Sequence, residues 1–213
     1  MYFQNFIDRF KVTLEKGLPG DEAHQNLSPL KRLTARNAEA TNVNYRHSAV
    51  AVILYPKEGS VMCILIQRPQ YDGTHGGQVS FPGGKVDKVD DNLEATARRE
   101  SFEEINLPFS AGELIGELSA VYIPVSNFMV QPFVFYIEEL PELIPDEREV
   151  EDILHFDIEL LRDDSILKKT DMTISKGFVQ KNVPYFSIEN KIVWGATSMI
   201  LAEMKEVLNR FKT

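Results

Sequence analysis

Apolar side chains near the N-terminus recur every three or four positions, which is the spacing of one face of an α-helix. The pattern runs from Phe3 to Leu14 and ends at the helix-breaking sequence Gly17-Leu18-Pro19-Gly20. We therefore predict a short amphipathic helix whose apolar face packs on another part of the chain. The polar stretch that follows, to about Tyr45, has no period and is expected to form an irregular arm.

The pattern then changes to apolar runs rich in β-branched residues. Residues 49–55 and 61–67 are predicted to be strands, and the turn at 56–60 between them indicates a hairpin. Helical spacing returns at residues 92–105 and again from Ile200 to Phe211, after the lead-in Trp194-Gly195-Ala196-Thr197. Additional strands are expected near residues 79–81, 118–123 and 130–137, and a short apolar run follows at 153–156.

The composition is that of an ordinary globular domain, with 213 residues of which 43% are hydrophobic and 26% charged. The formal charge of −9 disfavours nucleic acid as a partner, because the mean field of the chain repels a polyanion. No apolar run approaches the roughly eighteen residues of a membrane span, and no signal-peptide pattern opens the chain. The lone cysteine, Cys63, lies in an apolar run, which predicts a core position and a reducing, cytoplasmic compartment.

Three acids of the predicted helix stand at i, i+3 and i+4. Glu100, Glu103 and Glu104 therefore project toward one side. The apolar stripe from Leu93 to Ile105 lies beside them, so these acids border the core. Partly buried like charges require cations, and hard divalent ions such as Mg²⁺ prefer carboxylate and phosphate oxygens. The pattern favours a metal site that acts on a phosphate ester or anhydride.

Taken alone, the three glutamates are more typical of a solvated helix face, on which Arg99 pairs with Glu103. The preceding Gly83-Gly84 changes that interpretation. Two glycines directly after a strand allow the backbone to approach a metal ion or a phosphate group closely. Strand, glycine turn and acidic helix then form one functional unit.

The segment from Gly84 to Leu107, with Arg99-Glu100-Ser101-Phe102-Glu103-Glu104 near its end, resembles the Nudix box. Upstream, Gln67-Arg68, His75 and the run from Gly77 to Lys85 resemble the additional signature of the coenzyme A pyrophosphatase branch of that family. The likeness covers most of the chain, since it extends to Leu18-Pro19-Gly20, Ile123-Pro124 and Trp194-Gly195-Ala196-Thr197.

The chain departs from the Nudix pattern at several positions. Counted back from Arg99-Glu100, the first acid of the box falls on Asp91 and its glycine on Lys85, so the box is one residue longer than usual. Asn106 stands where the family has glycine, but asparagine also tolerates the left-handed conformation, so the turn can form. Pro69 replaces a small hydroxyl residue, which leaves the substrate contacts beside it open.

The resemblance implies an α+β fold, a Nudix-type α/β/α sandwich with a mixed sheet. An N-terminal helix and arm at residues 1–46 would pack on a Nudix domain at residues 47–213. The implied reaction is attack of a metal-activated water on the diphosphate of coenzyme A or its thioesters, with Mg²⁺ or Mn²⁺ as cofactor. The products would be 3′,5′-ADP and 4′-phosphopantetheine or its acyl derivative. A homodimer is compatible with this reading, and no membrane partner is implied.

The resemblance also assigns roles to individual residues. Glu103 and Arg99 are expected to be catalytic, the arginine by orienting the glutamates. The expected metal ligands are Glu100, Glu103, Glu104 and the carbonyl group of Gly84, and the expected substrate contacts are Arg68, His75, Gly83 and Lys85. Clustering of cations suggests that Lys31, Arg32 and Arg36 meet the 3′-phosphate, while Glu138, Glu139 and Glu142 are candidates for an unassigned general base.

Three other functions compete with this one. A broader Nudix pyrophosphatase would act on ADP-ribose or dinucleotides with the same helix. An isopentenyl diphosphate isomerase would need a cysteine near the glycine turn, whereas Cys63 lies deep in its strand. A ligand-sensing Nudix module, which is not an enzyme, would be expected to have lost acids of the box, and all three are present.

Overall fold

The protein is described by a computed structural model that covers residues 2–28, 34–41, 43–70, 76–175 and 178–211. The predicted α+β class is confirmed, since helices cover both faces of a mixed sheet. The helices are α1 Tyr2–Glu15, α2 Asp21–Gln25, α3 Ala35–Ala40, α4 Leu93–Ile105 and α5 Gly195–Asn209. The strands are β1 Arg46–Lys57, β2 Ser60–Gln67, β3 Val79–Ser80, β4 Gly83–Lys85, β5 Glu113–Glu117, β6 Val121–Ile123, β7 Phe128–Tyr136, β8 Asp152–Asp157, β9 Leu167–Ser175, β10 Phe178–Ile188 and β11 Lys191–Val193.

Strand β1 lies at the centre of the main sheet. It forms the predicted hairpin with β2, in which Leu54 lies opposite Cys63. On its other side it pairs in parallel with β7, and this pair makes the sheet mixed. The N-terminal end of β1 also pairs with β4, where Ala49 lies opposite Gly84. The central strand therefore holds the glycine turn in a fixed register.

Alternate residues of β1 and β2 face two separate cores. One core, which includes Ile53 and Ile64, is covered by α4 through Ala97 and Ile105. The other, which includes Leu54, is covered by α5 and by the predicted N-terminal helix, which is confirmed as α1. The buried position predicted for Cys63 is confirmed in this second core. Within the described ranges, no helix combines the length and the apolar character that crossing a bilayer requires.

The observed elements differ from the predictions in three places. The strand expected at 118–123 is only the short β6, because residues 118–120 after the end of β5 are not part of a strand. The arm is not wholly irregular, since it contains α2 and α3, which are too short to show a period. The hairpin of β9 and β10 was not predicted from the sequence, because polar residues interrupt both strands and neither contains a continuous apolar run.

A buried carboxylate on α5 joins the arm to the sheet. Glu203 has no solvent exposure and accepts hydrogen bonds from the Gly20 N–H at 2.8 Å, the Ser119 N–H at 2.8 Å and the Ser119 hydroxyl at 2.6 Å. The His24 imidazole nitrogen Nε2 lies 3.3 Å from Glu203 Oε2. Burial opposes ionisation of Glu203, but the contacts with His24 and Ser119 outweigh it, so its pKa is lowered.

We expect Glu203→Gln to lower the free energy of unfolding by about 1–3 kcal/mol at neutral pH, because the amide cannot accept the same set of bonds. A lowered pKa means that the folded state favours the ionised acid. The difference from wild type should therefore persist above the ordinary glutamate pKa of 4.5 and vanish as the pH falls through the lower folded value.

Urea unfolding over a pH series measures this difference. Glu206→Gln, at an exposed position of the same helix, is the matched control and should unfold like the wild type. Equal loss of stability in both variants at neutral pH would contradict the role of Glu203.

Candidate active site

The acidic helix α4 has well-defined ends. The Asn92 side chain accepts a hydrogen bond from the Ala95 N–H at 2.8 Å, which caps the first turn. At the other end Asn106 has φ 55°, so the predicted left-handed turn is confirmed. Glu103 and Glu104 consequently lie in the last turn, near the negative end of the helix dipole. Their ionised forms therefore need positive charge from outside the helix.

Glu104 is the most buried acid of the site. Its side chain has no solvent exposure, which confirms that this edge of the helix borders the core. One oxygen accepts from Arg68 Nη2 at 3.0 Å and the other from the Gly83 N–H at 2.8 Å. Burial raises the pKa of Glu104 to about 8, against the opposing effects of Gly83 and Arg68, while the charges of Glu100 and Glu149 add to the rise.

The two glycines are required for different reasons. At Gly84 an added Cβ would lie 2.3 Å from a Glu100 carboxylate oxygen, so this acid rests directly against the backbone. At Gly83 an added Cβ would lie 2.4 Å from the Ala49 carbonyl oxygen, and φ is 148°. Burial is the main cause of the raised pKa of Glu100, and it outweighs the neighbouring Arg99.

Arg99 links the helix to the loop before it. Its guanidinium contacts Asp90 at 2.8 and 3.0 Å, Glu103 at 2.8 Å and Glu100 at 2.9 Å. It also donates to the Lys85 carbonyl oxygen at 3.0 Å. The hydrogen bonds from Arg99 are the main cause that lowers the pKa of Asp90 to about 2. This is the geometry that an orienting role for Arg99 requires.

The acid that binds this arginine is Asp90, one residue before Asp91, on which the first acid of the box falls when counted back from Arg99-Glu100. Asp91 is exposed, whereas the Asp90 side chain is only 2% exposed. The Asp90 N–H and the Asp87 carbonyl oxygen, 3.1 Å apart, close a turn shortly before α4. The Thr96 hydroxyl, 2.9 Å from Asp90, adds a further contact. Because the box is one residue longer than usual, the count back from Arg99-Glu100 stops one residue after this acid.

The predicted substrate contacts are only partly brought together. Lys85 is exposed at the end of β4, beside the glycine turn. The Arg68 side chain is 27% exposed and is engaged with Glu104. Arg36 is exposed on α3. His75, Lys31 and Arg32 lie outside the described residues.

The candidate bases Glu138 and Glu139 line a different cavity, of about 430 Å³, beside Gly112 and Tyr136. Residues of the box and of the glycine turn are not part of its lining. Another acid of the same loop, Glu149, affects the box acids through its charge, which contributes to the raised pKa of both Glu100 and Glu104. The sequence offered no means of separating it from the other acids of that loop.

The oxygen-rich side chains fit a hard divalent cation. Across the described part of the chain, no three His, Cys, Asp or Glu side chains already stand as a metal cluster, and arginines instead contact the box carboxylates. Glu100 nevertheless occupies the space that a Cβ on Gly84 would fill, and the pKa values of Glu100 and Glu104 are raised by burial. Crowded, partly desolvated carboxylates of this kind are stabilised by a cation with oxygen preference.

Comparison with known proteins identifies a matching family. Residues 45–179 match the family described as NUDIX domain. A Yersinia enterocolitica protein named Uncharacterized Nudix hydrolase NudL is 30% identical over 168 residues, covering 79% of this chain and 84% of the relative. A protein of the same name from Photorhabdus laumondii is 27% identical over 202 residues, covering 95% of each chain. A solved Nudix hydrolase from M. smegmatis, RenU, is 14% identical, with a TM-score of 0.49, covering 79% of this chain and 89% of that structure.

The two glycines should respond differently to alanine substitution. Gly83→Ala places a methyl group against fixed backbone at a strained φ, so the free energy of unfolding should fall by about 2–4 kcal/mol. Gly84→Ala meets only the end of the Glu100 side chain, which can move, so the loss should stay within about 1 kcal/mol. Urea unfolding of both variants measures the contrast, and a larger loss for Gly84→Ala would contradict the geometry described.

Proposed function

Because the chain belongs to the Nudix family and is a hydrolase of pyrophosphate bonds, we propose that its substrate is coenzyme A or a coenzyme A thioester. Cleavage of the diphosphate would release 3′,5′-ADP and 4′-phosphopantetheine or its acyl derivative. The lone buried cysteine supports a cytoplasmic setting for this reaction.

One contact carries the proposal. The upstream segments that resemble the coenzyme A branch supply both partners of the buried box acid, since Arg68 and the Gly83 N–H bind the two oxygens of Glu104. The signature and the box are therefore one structural unit, although Arg68 and Gly83 lie 36 and 21 residues before Glu104 in the chain. The contacts support the proposal because they make the segments that resemble the coenzyme A branch part of the same site as the box acids.

Distant segments of the same resemblance also meet in the fold. The Gly20 N–H binds Glu203, and the Thr197 hydroxyl donates to the Val79 carbonyl oxygen at 3.1 Å. The second of these contacts joins the start of α5 to the strand that leads into the glycine turn. The relative from Photorhabdus laumondii aligns over 95% of the chain, beyond the matched residues 45–179. These observations support a role for the whole chain in the proposed specificity.

Members of the family generally use divalent metal cations, and we assign Mg²⁺ or Mn²⁺ to this site. Glu100, Glu103, Glu104 and the Gly84 carbonyl group would hold the cation. When bound, it would offset the negative charge of the diphosphate, lower the pKa of the attacking water and align the leaving group.

The side chains of the chain itself would provide positioning. Arg99 holds Glu100 and Glu103 from one side, so that their carboxylates keep a common orientation. The Glu103 side chain is 52% exposed and is the box acid most open to substrate. Lys85 is exposed at the end of β4, and the part of Arg68 that remains accessible lies at the end of β2. Both cations are suited to binding a phosphate group.

Analysis of phosphate-containing products tests the substrate. With Mg²⁺ and coenzyme A, the wild type should release 3′,5′-ADP. Glu103→Gln should lower the rate by at least about 100-fold, because loss even of a group that only supports a ligand costs about 10- to 100-fold. Glu94→Gln, on the same helix but paired with Arg98 away from the box acids, is the matched control and should retain activity.

ADP-ribose, supplied in parallel, separates the two substrate classes. Turnover of ADP-ribose alone would replace coenzyme A with a broader nucleoside diphosphate substrate. Absence of turnover of both compounds with either metal would overturn the proposal.

A further inference from the structure

A buried hydroxyl group on the strand before the glycine turn has no hydrogen-bond partner. In the part of the chain that the structure describes, the buried side-chain atoms without a partner are Gln67 Oε1, Ser80 Oγ and Ser126 Oγ. A polar group that is shielded from water and unpaired costs free energy in the folded protein. Such a group calls for a partner from outside the chain, either a water molecule or a ligand.

The position of Ser80 in the sheet directs its side chain toward the box helix. Ser80 lies directly opposite Ile66, whose side chain packs in the core that α4 covers. Its neighbours in the chain, Val79 and Phe81, pack in the core on the other face of the sheet. Side chains alternate along a strand, and directly opposite residues share a face. Both observations therefore place the Ser80 hydroxyl on the α4 face.

The partners of the buried box acid lie on the same face. The Arg68 N–H donates to the Gln78 carbonyl oxygen at 2.9 Å, which extends the ladder between β2 and β3 beyond Gln67. Arg68 is thus a diagonal neighbour of Ser80 and within reach of it across the ladder. The Arg68 side chain binds one oxygen of Glu104, and the N–H of Gly83, three residues after Ser80, binds the other. The unpaired hydroxyl therefore lies among the groups of the candidate active site.

The other two unpaired atoms have different surroundings. Gln67 lies opposite Val79, so its side chain faces the core that α5 covers. Ser126 lies in the turn between β6 and β7, where its carbonyl oxygen accepts from Arg46 at 2.6 Å. Of the three atoms, the Ser80 hydroxyl is the one that shares a face of the sheet with the box acids.

We propose that the Ser80 hydroxyl binds a non-bridging oxygen of the substrate diphosphate. The inference rests on the proposed function, since it uses a diphosphate substrate in this site. Each oxygen of Glu104 already accepts a hydrogen bond, from Arg68 and from Gly83. A phosphate oxygen is a charged acceptor, and a hydroxyl group that donates to it forms a hydrogen bond of the stronger class. Such a bond offsets the cost of keeping the hydroxyl buried.

Steady-state hydrolysis of coenzyme A by Ser80→Ala tests this contact. A bond that is equally strong in the bound substrate and in the transition state affects KM alone. The variant should therefore raise KM about 10- to 100-fold and leave kcat within about twofold of the wild type. Ser126→Ala, which removes the other unpaired serine hydroxyl, is the matched control and should keep the wild-type KM.

Urea unfolding without metal or substrate provides a readout that a structural role would change. The hydroxyl has no partner in the free protein, so Ser80→Ala and Ser126→Ala should both keep or slightly raise the urea midpoint. A clear drop for Ser80→Ala alone would show that its hydroxyl is bound in the free protein, for example by a buried water molecule. That result would overturn the inference.

The kinetic outcomes separate this inference from the proposed substrate. An unchanged KM in Ser80→Ala, or an equal rise in Ser126→Ala, would overturn the role of Ser80 and leave the coenzyme A proposal standing. If the wild type hydrolyses ADP-ribose alone, the same comparison is made with that compound, which also contains a diphosphate. A rise in KM specific to Ser80→Ala would then support the inference without coenzyme A. Absence of turnover of both compounds by the wild type would overturn both proposals.

Discussion

A carboxylate shielded from water needs a donor or a positive charge on its oxygens, and the candidate active site is arranged around one such group. Glu104 receives the Arg68 guanidinium on one oxygen and the Gly83 N–H on the other. These partners come from the end of β2 and the start of β4. One side chain therefore holds a strand end, the glycine turn and the acidic helix together, and the position of each depends on the others.

Burial of that acid also determines the charge balance of the site. Glu100 and Glu103 stand close to Glu104 on a helix end whose dipole disfavours negative charge. Arg99 offsets part of this repulsion, but Asp90 takes a large share of its hydrogen bonds. The remaining negative charge is the physical reason for a cation in this fold, and the same charge would attract the cation to its ligands.

A second buried carboxylate has a comparable effect on the opposite face of the sheet. Glu203 on α5 accepts hydrogen bonds from the backbone N–H groups of Gly20, in the arm, and Ser119, between β5 and β6. Each of the two helices thus carries an acid that is satisfied by loops distant in sequence. The arm is consequently part of the same packed structure that holds the glycine turn, through the contact of Thr197 with β3.

The sequence by itself determined the elements that carry the chemistry. The hairpin of β1 and β2, the acidic edge of α4 and the left-handed turn at Asn106 follow from periodicity and from the preference of single residues, which are local properties. The polar hairpin of β9 and β10 has no such signal. Only the tertiary structure decided that Asp90 and not Asp91 binds the arginine, because this depends on how the loop before α4 folds against the helix.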